Sequence, residues 1–65
     1  MRIDRIKLAV ELARRDMTTL ELAEKSGLSR ATISGVKRGA SCNGKSALKI
    51  ADALGVKLET ILEQK

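Results

Sequence analysis

Residues 18–39, TTLELAEKSGLSRATISGVKRG, decide how this chain folds. Thr18-Thr19-Leu20-Glu21 has the form of a capping box, in which the Thr18 hydroxyl accepts from the Glu21 backbone N–H while the Glu21 carboxylate reaches back. A helix opens there. It runs through Leu20, Leu22 and Ala23 and stops at Ser26, because Gly27 supplies the left-handed conformation that a helix end commonly needs. Ser29 is a second N-cap, starting a helix that carries Ile33 and Val36 on one side and ends at Gly39. Only Gly27 and Leu28 lie between the two helices, so they must cross steeply instead of running antiparallel. A small side chain at Ala23 permits that approach, and Leu22, Leu28, Ile33 and Val36 fill the wedge beneath. These residues alone also suit an αα-corner with no binding role.

Working outward, Ile3, Ile6, Val10 and Ala13 recur at a spacing of three or four, with Leu8 and Leu12 on a neighbouring row. This predicts a first helix from about Ile3 to Arg15. Downstream, GASCNG (39–44) is a loop by composition, and Asn43 is the expected cap of a fourth helix whose buried face is Ala47, Leu48, Ile50, Ala51 and Leu54. Gly55 ends that helix, and Val56 is placed to pack back on it. Leu58, Ile61 and Leu62 make a brief fifth stripe that needs tertiary support. Nothing alternates with a period of two for long enough to make a strand. The expectation is an all-α chain, a compact five-helix bundle forming one domain over 1–65, with helices two and three as the functional pair.

Composition narrows the chemistry. A chain of 65 residues buries only about 60% of its unfolded surface, enough for one modest core. It has no Phe, Tyr, Trp, His or Pro, so it cannot stack bases on aromatic platforms as many single-strand and RNA readers do. Without His, and with Cys42 the one cysteine, no structural zinc or iron–sulfur set and no intrachain disulfide is expected, which suits a reducing cytoplasm. No stretch approaches the roughly 18 apolar residues of a membrane span. The absence of a His, of a nucleophile–base pair and of a Gly-rich phosphate loop argues against an enzyme, so no catalytic, metal or cofactor residue is expected.

The net charge is +5, and its location matters more than its size. Between Glu24 and Asp52 there is no acid, while Lys25, Arg30, Lys37, Arg38, Lys45 and Lys49 fall inside that window. Clustered cations neutralise phosphates and release condensed counterions, an attraction that duplex nucleic acid rewards. A solvated charged face is the competing explanation.

From Thr18 to Gly55, TTLELAEKSGLSRATISGVKRGASCNGKSALKIADALG resembles the phage-repressor helix-turn-helix proteins, the Cro-like or Xre-type family. The pieces that carry the likeness are Leu22-Ala23, Gly27, Ser29, Ile33, Gly39 and Ala53-Leu54-Gly55-Val56. The resemblance implies sequence-specific binding of duplex DNA by a dimer, usually to regulate transcription, with helix three in the major groove. Two departures stand out. Family members often carry an acid two residues before the terminal Gly of helix three, paired with an Arg of helix one; here those positions hold Lys37 and, by register, Leu12. Lys37 is then available for phosphate or for Glu11. A Pro common before helix four is replaced by Cys42, which loosens the loop.

If Ile33 and Val36 point inward, Arg30, Ala31, Ser34 and Lys37 lie on or beside the outer surface. The candidate base contacts are Ser29, Arg30, Ala31, Ser34 and Gly35. Arg30 leads, because a guanidinium near the start of such a helix can donate two hydrogen bonds to guanine O6 and N7; a phosphate contact or a solvated charge is its alternative. Ala31 suits a thymine methyl and Ser34 either base type. Gly35 either lets the backbone approach the groove or marks a frayed last turn. Candidate phosphate contacts are Thr18, Thr19, Lys37, Arg38, Asn43, Gly44 and Lys45, cations or residues at the positive ends of helices two and four. Thr18 and Asn43 also cap those helices.

The expected function is that of a small cytoplasmic transcriptional regulator, a repressor, that binds a palindromic double-stranded operator as a homodimer and has no membrane association. The apolar residues at the C-terminal end, Val56, Leu58, Ile61 and Leu62, should mostly complete the core, leaving one or two for the partner chain. The alternative is an antitoxin-type or adaptor module of the same fold whose main partner is a second protein.

Overall fold

The computed structural model describes residues 2–63. Five helices follow one another along them: α1 (Arg5–Arg14), α2 (Thr19–Ser26), α3 (Arg30–Lys37), α4 (Gly44–Leu54) and α5 (Leu58–Ile61). Each of the first four opens on a side-chain cap. Asp4 accepts from the amides of Ile6 and Lys7, Thr18 from Glu21, Ser29 from Thr32 and Asn43 from Ser46, at 2.8–3.1 Å. Each such cap contributes about 1 kcal/mol relative to alanine. At α2 the box is complete, since the Thr18 amide donates to Glu21 Oε1 at 3.2 Å.

The same four helices also close alike. Asp16, Gly27, Gly39 and Gly55 adopt positive φ (53°, 74°, 95° and 71°). The following amides, of Met17, Leu28, Ala40 and Val56, donate back to the carbonyls of Leu12, Ala23, Gly35 and Ala51 at 2.9–3.2 Å. This is the Schellman closure, which satisfies carbonyls that a helix end would leave orphaned. Three of the four left-handed positions are glycine; Asp16 is the exception. Its Cβ makes that conformation costly, and its carboxylate adds negative charge at the negative end of α1.

Packing follows from the apolar stripes. α2 lies against α3 and α4, α1 against α3 and α5, and α4 against α5. Leu8, Leu22, Ile33, Ala47, Ile50 and Ile61 are fully buried where these helices meet. Leu28, Val56 and Leu58 pack on that cluster from the turns and the last helix.

The structure corrects the sequence expectation at α1. The helix starts at Arg5 instead of Ile3, because Asp4 takes the N-cap position. Ile3 pairs with Leu62 in an isolated antiparallel bridge, flanked by Asp4 N–H to Ile61 O at 2.7 Å and Glu63 N–H to Arg2 O at 3.0 Å. The buried row is Leu8, Glu11 and Leu12, whereas Ile6 and Val10 are 68% and 43% exposed and Ala13 is exposed. α4 needs one correction of the same kind. Leu48 is 53% exposed, because it lies beyond the Ala51 edge of the buried stripe, about 110° round the helix from the centre of Ala47, Ile50, Ala51 and Leu54.

Glu11 is the acid in this core, and it is not stranded. Arg15 donates to its Oε1 at 2.7 Å and to its backbone carbonyl at 3.0 Å, and Arg14 reaches Oε2 at 3.5 Å. A buried carboxylate held this way costs little while the pair is intact and much when one partner goes.

Asp16→Gly should raise stability by about 1 kcal/mol, read as a higher urea midpoint at unchanged slope. Asp16→Asn, which keeps the Cβ and removes the charge, should give part of that gain. A lower midpoint in both variants would contradict the cost assigned to this helix end.

Candidate nucleic-acid interface

Where α3 points is decided in the turn before it. The amides of Gly27 and Leu28 both donate to the Ala23 carbonyl, at 3.0 and 3.2 Å. Ser26 is buried and fastens the same turn, its hydroxyl donating to Ala23 O at 3.3 Å and accepting from the Leu28 amide at 3.4 Å. Sequence reasoning passed over Ser26, although a serine just before a turn glycine commonly hydrogen-bonds to local backbone. Leu28 then packs on the core and Ser29 caps α3. The backbone is thus held on both sides of the corner.

With Ile33 and Val36 buried, the opposite side of α3 faces out. Arg30, Ala31, Lys37 and Arg38 are exposed, and Ser34 and Gly35 are half-buried. At 3.6 residues per turn, Lys37, Arg30, Ser34, Arg38 and Ala31 fall within an arc of roughly 120°. Three cations and two small side chains therefore share one surface, with no acid on the helix to offset them. A Cβ added at Gly35 would meet Ala40 Cβ at 3.8 Å, ordinary contact, so internal packing does not require the glycine.

Not every candidate has its side chain available. The Ser29 hydroxyl accepts from the Thr32 amide at 3.1 Å and shares a hydrogen bond with Thr32 Oγ1 at 2.9 Å, leaving little for a base. Thr18 Oγ1 and Asn43 Oδ1 likewise serve their caps. At the start of α4, Gly44 and Lys45 are exposed, and their amides belong to the first turn, which has no intrahelical acceptor.

Lys37 does not meet Glu11. Its ammonium donates to Thr19 Oγ1 at 2.7 Å, linking the last turn of α3 to the first turn of α2. Glu11 is engaged by Arg14 and Arg15. A lysine ammonium carries three protons, so two remain beside the threonine hydroxyl. Lys37 and Thr19 therefore stand as a joined pair at the edge of the outward face, a contact between positions 18 residues apart that no local pattern announces.

The surplus apolar surface lies away from the C-terminal end. Ile61 is buried and Val56 and Leu58 pack on the core, whereas the exposed large apolar residues are Ile6, Val10, Leu20 and Leu48. Among the described residues, no helix is long and apolar enough to cross a membrane.

A family model described as the Cro/C1-type HTH DNA-binding domain matches residues 7–65. No curated protein matches the chain. Among solved structures, PhpD with cadmium atoms superposes with a TM-score of 0.84 at 26% identity, covering 98% of this chain and 14% of that one. A variant of hydroxyethylphosphonate dioxygenase gives 0.87, with the same identity and coverage. The Streptomyces albus HEPD bound to 2-hydroxyethylphosphonate and Fe(II) gives 0.81 at 31% identity, covering 91% of this chain and 14% of that one. The chain thus corresponds to a small part of each of these solved structures.

Gly35→Ala should raise the melting temperature by the equivalent of about 0.5–1 kcal/mol, since the site is helical and a methyl fits. A fall in melting temperature would show that the last turn of α3 is not the regular helix described.

Proposed function

The chain belongs to the Cro/C1-type helix-turn-helix DNA-binding family, and on that premise we propose that it binds double-stranded DNA sequence-specifically as a small transcriptional repressor, with the helix from about Ser29 to Arg38 in the major groove. The observation that carries this reading is the outward arc of α3, where Arg30 and Ser34 stand between the cations Lys37 and Arg38, with Ala31 just beyond Arg38. Arg30 is the base reader, through a two-pronged contact to guanine. Ala31 and Ser34 sense neighbouring edges, and Gly35 brings the backbone close. Ser29, its hydroxyl committed to the cap, contributes through the position of its backbone.

Phosphate is held by the flanks. The Lys37–Thr19 pair with Thr18 on one side, and Asn43, Gly44 and Lys45 on the other, set cations and helix N-termini against the two strands, with Arg38 between them. One such module reads few base pairs, so a homodimer on a palindromic operator completes the site, its two reading helices about 34 Å apart. The domain works in the cytoplasm without a cofactor and catalyses nothing itself.

A second reading draws support from the solved relatives. In hydroxyethylphosphonate dioxygenase, whose chain it covers to 14%, a segment of this fold accompanies much more polypeptide, which favours a role in docking to another protein. Salt-dependent, sequence-selective duplex binding separates the two readings.

Selection from a random duplex pool should enrich a two-fold symmetric motif; no enrichment over the input would remove the DNA reading. Within an enriched site, Arg30→Ala should relax preference at one base pair by about 1–3 kcal/mol. Lys45→Ala should weaken all duplexes alike and flatten the salt slope by about one unit. Uniform loss in both variants would refute the division between reading and anchoring.

A further inference from the structure

Among the cations on the outer face of α3, Lys37 differs in having a partner. Its ammonium donates to Thr19 Oγ1 at 2.7 Å, whereas no side-chain hydrogen bond or ion pair holds Arg30 or Arg38 among the described residues. Lys37 is exposed and Thr19 is half-buried. The place of Thr19 on its helix explains the contact. It lies three, four and seven residues before Leu22, Ala23 and Ser26, the buried residues of α2, and so stands at the head of the row that α2 turns inward. Its hydroxyl therefore faces the end of α3.

The lysine comes from the other side of the corner. Lys37 lies one turn after the buried Ile33, at the edge of the outward arc beside Arg30. Its stem reaches from the last turn of α3 to the first turn of α2, and the threonine oxygen restrains the far end of a long flexible chain. A lysine loose in solvent surrenders much rotational freedom when its ammonium meets a fixed anion. One that is already restrained surrenders less. The bond uses one of three ammonium protons, and two remain for phosphate oxygens. Thr19, being neutral, adds nothing to counterion release, so what it can contribute is placement.

We infer that Thr19 is a positioning residue for Lys37: its hydroxyl holds the ammonium where a backbone phosphate of the bound duplex meets it, and its own side chain makes no contact with that phosphate. The inference rests on the duplex reading and divides the work within the pair, charge from Lys37 and placement from Thr19.

Duplex affinity measured over a range of salt concentrations tests it, with a thermal melt showing that each variant is folded. Thr19→Val keeps the shape of the side chain, removes the hydroxyl and leaves the Thr18 cap intact. It should weaken binding about threefold to tenfold at an unchanged salt slope, because the ammonium still reaches phosphate. Thr19→Ser, which keeps the acceptor, should retain the wild-type affinity. Lys37→Met should weaken binding further and flatten the slope by about one unit. With Lys37→Met already present, Thr19→Val should cost nothing more, since no ammonium is left to place. A second readout needs no DNA: in the free protein the Lys37 side-chain order parameter should exceed those of the exposed Lys45 and Lys49, and fall to their level in Thr19→Val. Losses that multiply in the double variant would assign Thr19 a direct phosphate contact and overturn the inference. Unchanged affinity in Thr19→Val, or a Lys37 no more ordered than Lys45, overturns it as well, while the duplex reading stands. A wild-type chain that binds no duplex overturns both.

Discussion

The arrangement depends on the corner at residues 26–29. Two amides converge on the Ala23 carbonyl, a serine hydroxyl bridges the same turn, and the glycine there occupies a left-handed conformation with nothing within 4 Å of an added Cβ. The obstacle to a side chain at Gly27 is therefore backbone conformation and not space. This constraint fixes the angle between α2 and α3, and that angle determines which side of α3 the core can cover. Loosen the corner and Ile33 and Val36 lose their fixed seat against α2, while the outward cations lose their common direction.

Much of the surface chemistry is already committed when the chain is folded. Hydroxyl and amide oxygens that a sequence reading offers to a ligand are occupied at Thr18, Ser29 and Asn43 by the helix starts they cap. What remains outward is mainly charge, backbone and small side chains. Lys37 is intermediate, since its hydrogen bond to Thr19 restrains an otherwise flexible stem and leaves the ammonium able to donate further. A pre-placed lysine loses less freedom on meeting an anion than a mobile one would.

The helix order, the caps at Thr18, Ser29 and Asn43 and the glycine closures were legible in the sequence because each is set by residues within one turn. The inner face of α1 was not. Two apolar rows run along that helix, Ile6–Val10–Ala13 and Leu8–Leu12, and periodicity cannot choose between rows of similar hydrophobicity. The choice is made by tertiary partners and is sealed by Glu11, an acid that pattern reading assigns to the outside but that Arg15 holds within. The outward side of α3 was legible, because Ile33 and Val36 leave one inward direction for so short a helix. The bond from Lys37 to Thr19 was not, because it forms only once two helices have crossed.

The pairing of Ile3 with Leu62 carries a consequence for how such a fold can be housed. Antiparallel partners in a bridge sit about 5 Å apart at their Cα atoms, so the backbone leaves this bundle almost where it came in. A host protein could therefore take it up as a cassette, spliced into a surface loop at Arg2 and Glu63, and its own framework would need to part by little more than the gap between neighbouring strands.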